Sequence, residues 1–196
     1  MLKKTINIFF FSFVIFVAGC GLFNLRDAEN PVDPRSNFIP PTTPDIVITN
    51  FVSAITERNL NNYLQCFVDS NFSTRRFSFT ADALSQQQYP IFRYWNLNNE
   101  RYYFTSLISQ TSPSATSYLF LSNVIINPSS DTSVYDADYL LRFDHNAANI
   151  PHTLKGKMRL ILGVDTRNLW SIHNWIDLAN PSGDTTWSFI KAGFSN

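Results

Sequence analysis

Residues 134–145 read Val-Tyr-Asp-Ala-Asp-Tyr-Leu-Leu-Arg-Phe-Asp-His. Tyr135, Ala137, Tyr139, Leu141 and Phe143 share one parity, while Asp136, Asp138, Arg142 and Asp144 share the other. A period of two predicts a strand with one buried face. The pattern continues on both sides. Residues 117–127 are apolar on both faces at their centre, Leu119-Phe120-Leu121. In residues 154–164, Leu154, Met158, Leu160, Leu162 and Val164 face one way, and Lys155, Lys157 and Arg159 face the other. Residues 169–178 predict a further strand and residues 185–190 a short last one. Turn-forming stretches at 127–131, 146–151 and 165–168 separate these runs. Consecutive strands joined by short turns predict an antiparallel meander rather than βαβ units. The acidic and basic outer faces of neighbouring strands can pair across the sheet, each contact contributing roughly 0.2–1 kcal/mol.

Upstream the period becomes helical. Val47, Ile48, Phe51, Val52 and Ile55 form one apolar face, entered at Thr43 or Pro44 with Asp45 at the positive end of the helix dipole. Leu60, Tyr63, Leu64 and Phe67 repeat at i, i+3, i+4, i+7, after a bend expected at Arg58-Asn59. Residues 75–80 alternate as a short strand with Phe77 and Phe79 on one side. Residues 97–109 predict a helix capped by Asn96 that buries Phe104, Leu107 and Ile108.

The chain has 196 residues, with 15% charged and 15% aromatic. An average domain carries roughly 25% charged residues. Such a composition buries a large core and covers much of its surface with Asn, Ser and Thr. The first nineteen residues pair Lys3 and Lys4 with the apolar run 5–17, too short for the about 20 residues a bilayer span needs. Val17-Ala18-Gly19-Cys20 resembles a bacterial lipobox. That resemblance implies a signal peptide (residues 1–19) cleaved before Cys20, and acylation of the Cys20 thiol (palmitate or a similar chain) and of the new amino terminus. Two or more chains make a stable anchor, since each buried methylene contributes about 0.8 kcal/mol. Gly21 is not the aspartate of an inner-membrane retention signal, and Leu22-Phe23-Asn24-Leu25 is not an acidic surface-export run. The expected address is therefore the cell envelope, on the outer membrane facing the periplasm if the host has two membranes.

Loss of Lys3 and Lys4 lowers the basic count from 15 to 13 against 15 acidic residues, a net charge near −2. That balance argues against nucleic acid as a partner. With Cys20 committed to lipid, Cys66 has no partner in the chain, which excludes a disulfide framework and reads as a buried apolar position. Residues 20–44, punctuated by Pro31, Pro34, Pro40, Pro41 and Pro44, read as a lipidated cysteine and an extended tether, with Phe38 and Ile39 the anchors if part of it packs on the domain. Residues 45–196 read as a single domain, close to the roughly 150 residues typical of one.

Helices followed by a long antiparallel meander predict an α+β cone. Gly163, Trp170-Ser171-Ile172, Trp175-Ile176-Asp177 and Thr186-Trp187-Ser188 lie in an order similar to the last strands of nuclear transport factor 2-like (ketosteroid isomerase-like, cystatin-like fold) proteins. Phe51-Val52-x-x-Ile55, Asn59-Leu60-Asn61-Asn62-Tyr63 and the Trp95…Glu100 segment resemble that superfamily's helical half. The resemblance implies N-terminal helices packed on a strongly curved antiparallel sheet, with a pocket at the open end. It does not transfer an activity.

The candidate pocket residues are Trp95, Tyr103, Tyr139, His173, Trp175 and Asp177. An isomerase- or dehydratase-type site needs a carboxylate base and an oxyanion donor in an apolar cavity. Asp138 with Tyr139, or Asp177 with His173 and Tyr103, are the pairs available. Asp136, Asp138 and Asp144 lie opposite the aromatic face, and Asp177 falls near a strand end where exposed acids are common. His173 and Asp177 share a strand face only if no bulge intervenes. Three scattered histidines give no metal-ligand spacing, and 6 glycines form no phosphate loop, so no cofactor is expected. The cluster Tyr89, Phe92, Tyr94, Trp95, Tyr102, Tyr103 and Phe104 reads mainly as core or pocket lining. The expectation is a non-catalytic domain that binds a small apolar ligand or a protein partner through the cone mouth or the sheet face. The sheet face is also an expected homodimer surface. The rivals are an isomerase- or dehydratase-like enzyme and a structural subunit of an envelope assembly.

Overall fold

The computed structural model describes residues 37–195. Cys20, the export signal and residues 20–36 of the tether lie outside the described residues. Helix α1 spans Pro44–Thr56, with Pro44 in its first turn and Asp45 beside the exposed amide groups. It buries Val47, Ile48, Phe51, Ala54 and Ile55. The expected bend is at Arg58, whose φ of 55° is left-handed and whose guanidinium donates to the carbonyls of Ser112 and Pro113. Asn59 then caps α2 (Leu60–Gln65) by accepting from the Asn62 amide. This helix stops before Phe67, because Val68 N–H donates to Ile172 and Ile172 N–H donates to Cys66, which ties the chain to the sheet.

Strand β1 (Ser78–Thr80) follows, then α3 (Ala83–Gln88), capped by the Asp82 carboxylate, and a 3-10 turn at Pro90–Tyr94. Helix α4 (Leu97–Ser109) starts at Asn96 with a reciprocal capping box to Asn99 and buries Glu100, Tyr103, Phe104 and Leu107. The meander is β2 (Ser117–Pro128), β3 (Thr132–Phe143), β4 (Thr153–Val164) and β5 (Trp170–Leu178). The sheet order is β1-β5-β4-β3-β2, antiparallel except for the short parallel pairing of β1 on β5.

The inner faces follow the sequence pattern. Tyr135, Ala137, Tyr139, Leu141 and Phe143 are buried, as are Leu154, Met158, Leu160 and Leu162. Outside, Arg159 pairs with Asp136 at 2.7 Å and Lys157 with Asp138 at 3.6 Å, exposed pairs that contribute at most about 1 kcal/mol each. Phe38 packs against the core, Pro41 is buried, and Pro41 O accepts from Trp170 N–H at 2.7 Å, so residues 37–43 lie along the domain.

The short last strand expected at 185–190 is instead a helix, α5 (Trp187–Gly193). Trp187, Ser188, Ile190, Lys191 and Ala192 are all buried in it. With five of its seven residues buried, Phe189 half-buried and only Gly193 exposed, this helix shows no clear amphipathic stripe, and a short apolar run is ambiguous between strand and helix. Cys66 is free and buried, its thiol donating to Asn62 O, and burial pushes its pKa up. Among the described residues no helix is long and apolar enough to cross a membrane.

Candidate functional site

The interior of the cone is built around two carboxylates. Glu100, on the first turn of α4, is fully buried. One of its oxygens accepts from Tyr63 OH at 2.5 Å and from Lys191 Nζ, and the other accepts from Trp95 Nε1 at 2.7 Å. Lys191 comes from α5 and is also fully buried. Its ammonium lies 4.0 Å from the Trp175 ring centroid, 4.1 Å from Phe79, 5.1 Å from Tyr103 and 5.4 Å from Trp95. This is an aromatic cage around a cation, with Glu100 as counter-ion. Burial pushes the Lys191 pKa down to about 8, against the opposing pull of Glu100.

Asp177, near the end of β5, is the second carboxylate. Exposed acids are common near a strand end, but this one has no accessible surface. The inward parity of Trp175 continues to Asp177, and α5 covers it. One oxygen accepts from Tyr139 OH at 2.8 Å; the other accepts from Ser188 N and Ser188 Oγ, each at 2.6 Å. Tyr139 OH in turn accepts from Trp187 N at 2.7 Å. The pair thus satisfies amide groups at the start of α5 that the helix itself cannot. Burial raises the Asp177 pKa to about 6, although the Ser188 and Tyr139 hydrogen bonds oppose it. Thr186 Oγ1 donates to Asp82 at 2.6 Å, and Asp82 N–H donates to Ser188 Oγ at 3.0 Å, which ties α5 to the cap of α3.

The structure brings five of the six candidate residues into this interior. Trp95, Tyr103, Tyr139, Trp175 and Asp177 are buried there, and Tyr103 OH accepts from Trp187 Nε1 at 2.9 Å. They contact one another and α5 rather than an opening. Trp187 stacks edge-on against Trp175 with centroids 4.7 Å apart and lies 5.4 Å from Tyr139.

His173 is elsewhere. The register slips between Ile161 and Leu162 on β4, so that Asn174 and Ile172 are the facing residues and His173 is the extra one. It sits half-buried beside Arg75 over Gly163, where burial and the Arg75 charge lower its pKa. The bulge therefore separates His173 from Asp177. Among the described residues no three His, Cys, Asp or Glu side chains are placed to hold a metal ion.

Sequence reasoning missed Lys191, Trp187, Ser188 and Tyr63 as partners of the two carboxylates. A lone lysine inside the apolar run 187–194 was the available signal, since such a lysine is buried only when paired.

An open groove lies apart from this interior. It has a volume of about 530 Å³ and is walled by Phe38, Leu64, Leu97 and Trp170, with Arg101 and Arg167 at its rim. Arg167 is held by Asp165 and stacks on Phe72 at 3.6 Å. None of the six candidate residues lines it.

No family model and no curated protein matches the chain. Solved structures do. A nuclear transport factor 2-like protein from Cytophaga hutchinsonii is similar at 10% identity and TM-score 0.51, over 68% of this chain and 93% of that one. A provisionally assigned scytalone dehydratase from Novosphingobium aromaticivorans aligns at 10% identity and TM-score 0.52, over 68% and 78%. A nuclear transport factor 2-like protein of unknown function in nutrient uptake from Rhodospirillum rubrum aligns at 9% identity and TM-score 0.52, over 69% and 97%. Helices packed on a curved, mostly antiparallel five-stranded sheet are the nuclear transport factor 2-like cone.

Proposed function

We propose that this chain is a lipid-anchored envelope protein whose cone domain binds a partner or ligand without catalysing a reaction. The observation that carries the non-catalytic reading is the filled interior. A general base needs a free lone pair with a substrate proton in hydrogen-bond reach, and a carboxylate offers about four acceptor sites in all. Asp177 and Glu100 each accept three hydrogen bonds from the chain itself. Trp187 and Lys191 occupy the space a substrate would take. The binding surface is then external, and the groove beside Trp170 offers the volume, within the roughly 300–1,000 Å³ common for ligand pockets.

The lipid anchor rests on Val17-Ala18-Gly19-Cys20 and places the domain at a membrane surface, with the outer membrane favoured by Gly21. Intact-mass measurement of the chain extracted from host membranes tests it. The expected species begins at Cys20 and carries acyl mass. A chain that begins at Cys20 without acyl mass, or one that retains residues 1–19, overturns the anchor.

One observation favours the isomerase- or dehydratase-like alternative: a buried carboxylate of raised pKa hydrogen-bonded to a tyrosine, Asp177 with Tyr139. A dehydratase assignment for a structural neighbour points the same way. That reading requires α5 to leave the cone, breaking its hydrogen bonds to Asp177, Tyr139, Tyr103 and Glu100 together.

A further inference from the structure

The sheet has two edges of very different character. At one, β1 is three residues long. At the other, β2 is twelve residues long and, among the described residues, pairs with β3 on one side only. The start of β2 is covered by α1, where Ser117 Oγ donates to the Ile55 and Thr56 carbonyls. Residues 123–128 are all exposed. Phe120 is 58% exposed, Ile125 59% and Val124 44%.

No charged residue occurs from Ser117 to Pro128. Natural edge strands are protected by lysines, prolines, bulges or shortness, because their free N–H and C=O groups template further pairing. Beyond the part covered by α1 the protection is slight: Pro128 at the end and one bulge at 123–124, where Asn123 has a φ of 51°. That bulge has a second effect. Phe120 faces Leu140, and Ile125 faces Asp136, so the slipped register puts both exposed apolar side chains on the outer face.

We propose that β2 is a dimerisation edge, onto which the β2 strand of a second copy adds antiparallel so that one sheet runs through both molecules. The occupant follows from length and charge. A long, uncharged, apolar edge is complemented by another of the same kind, and a two-fold axis through β2 supplies one of identical length with outer face matched to outer face. The opposite edge, with only Ser78–Thr80, is too short to accept β2, so the contact closes as a pair instead of propagating. This proposal depends neither on the anchor nor on the groove. It differs from the dimer through the sheet face expected from the sequence.

The test is sedimentation of the full chain in density-matched detergent, with variants at the edge and on the face. Wild type sediments as a dimer. Ile125→Lys, which sets like charges across the two-fold axis, raises the dimer dissociation constant by about 100-fold. Phe120→Ser weakens the dimer in the same direction and guards against misfolding of the first variant. Leu178→Glu, an exposed residue at the outer end of β5 opposite Lys157, leaves the dimer intact. A wild-type monomer at the highest attainable concentration overturns the proposal. So does a dimer that survives Ile125→Lys and Phe120→Ser but is split by Leu178→Glu.

Discussion

Asp177 and Lys191 each meet an electrostatic cost on burial. Each is fully buried, and each is displaced towards its neutral form, Asp177 to about 6 and Lys191 to about 8. A carboxyl group whose pKa is raised on folding binds its proton more tightly in the native state, so stability falls as pH rises between the unfolded and folded values. For Asp177 that window runs from about 4 to about 6, and two pKa units correspond to about 3 kcal/mol. Urea unfolding of wild type and Asp177→Asn across this range isolates the effect. The difference between the two proteins should change across the window, with wild type losing ground as pH rises. A constant difference contradicts the burial of Asp177.

Lys191→Met leaves Glu100 charged, buried and stripped of its counter-ion, which should cost about 3–5 kcal/mol. Adding Glu100→Gln should recover part of that loss, because the orphan charge is removed. A Lys191→Met protein as stable as wild type in urea would show the ion pair to be solvated instead.

Among the elements, those whose burial is one-sided were legible in the sequence. β3 has an uninterrupted period of two, and its inner and outer residues fall where the alternation puts them. α4 announces itself by Asn96 and by its spacing. α5 was not legible as a helix, because most of its seven residues are buried and the buried ones follow no clear stripe. α3 is a single capped turn and a half in a polar stretch, with only Ser85 buried, so hydrophobic periodicity had nothing to report. The bulge at His173 is set by the β4 register and leaves no mark in local composition.

Close packing between elements was equally invisible. Gly156 on β4 faces Tyr139, and a Cβ there would sit 2.6 Å from the tyrosine oxygen and 2.8 Å from the Leu178 carbonyl oxygen. Neither atom can yield freely: the tyrosine is held by Asp177 and Trp187, and the carbonyl is backbone. Gly156→Ala should therefore destabilise by about 1–3 kcal/mol in denaturant unfolding, where an open strand position would gain from the substitution.

At the scale of the molecule, the fold was readable and the state of its cavity was not. The order of the tryptophans, the helical first half and the meander were enough for the cone. Whether a cone is open depends on what its own C-terminal segment does, and Trp187 and Lys191 fill it through contacts that run from Phe51 to Trp175 in the described residues. The 9–10% identity to structures of the same fold therefore says little about what any of these cones holds.

The filled interior makes one direct demand on solution behaviour. Of the 4 tryptophans, Trp95, Trp175 and Trp187 pack inside the cone and Trp170 lines the outer groove. Their indole N–H signals in a 15N correlation spectrum, followed through a titration with 8-anilinonaphthalene-1-sulfonate, read interior and groove separately. The account predicts that the Trp95, Trp175 and Trp187 signals stay fixed, with any shift confined to Trp170. Saturable shifts of the three interior signals would contradict it and return the cone to the list of ligand sites.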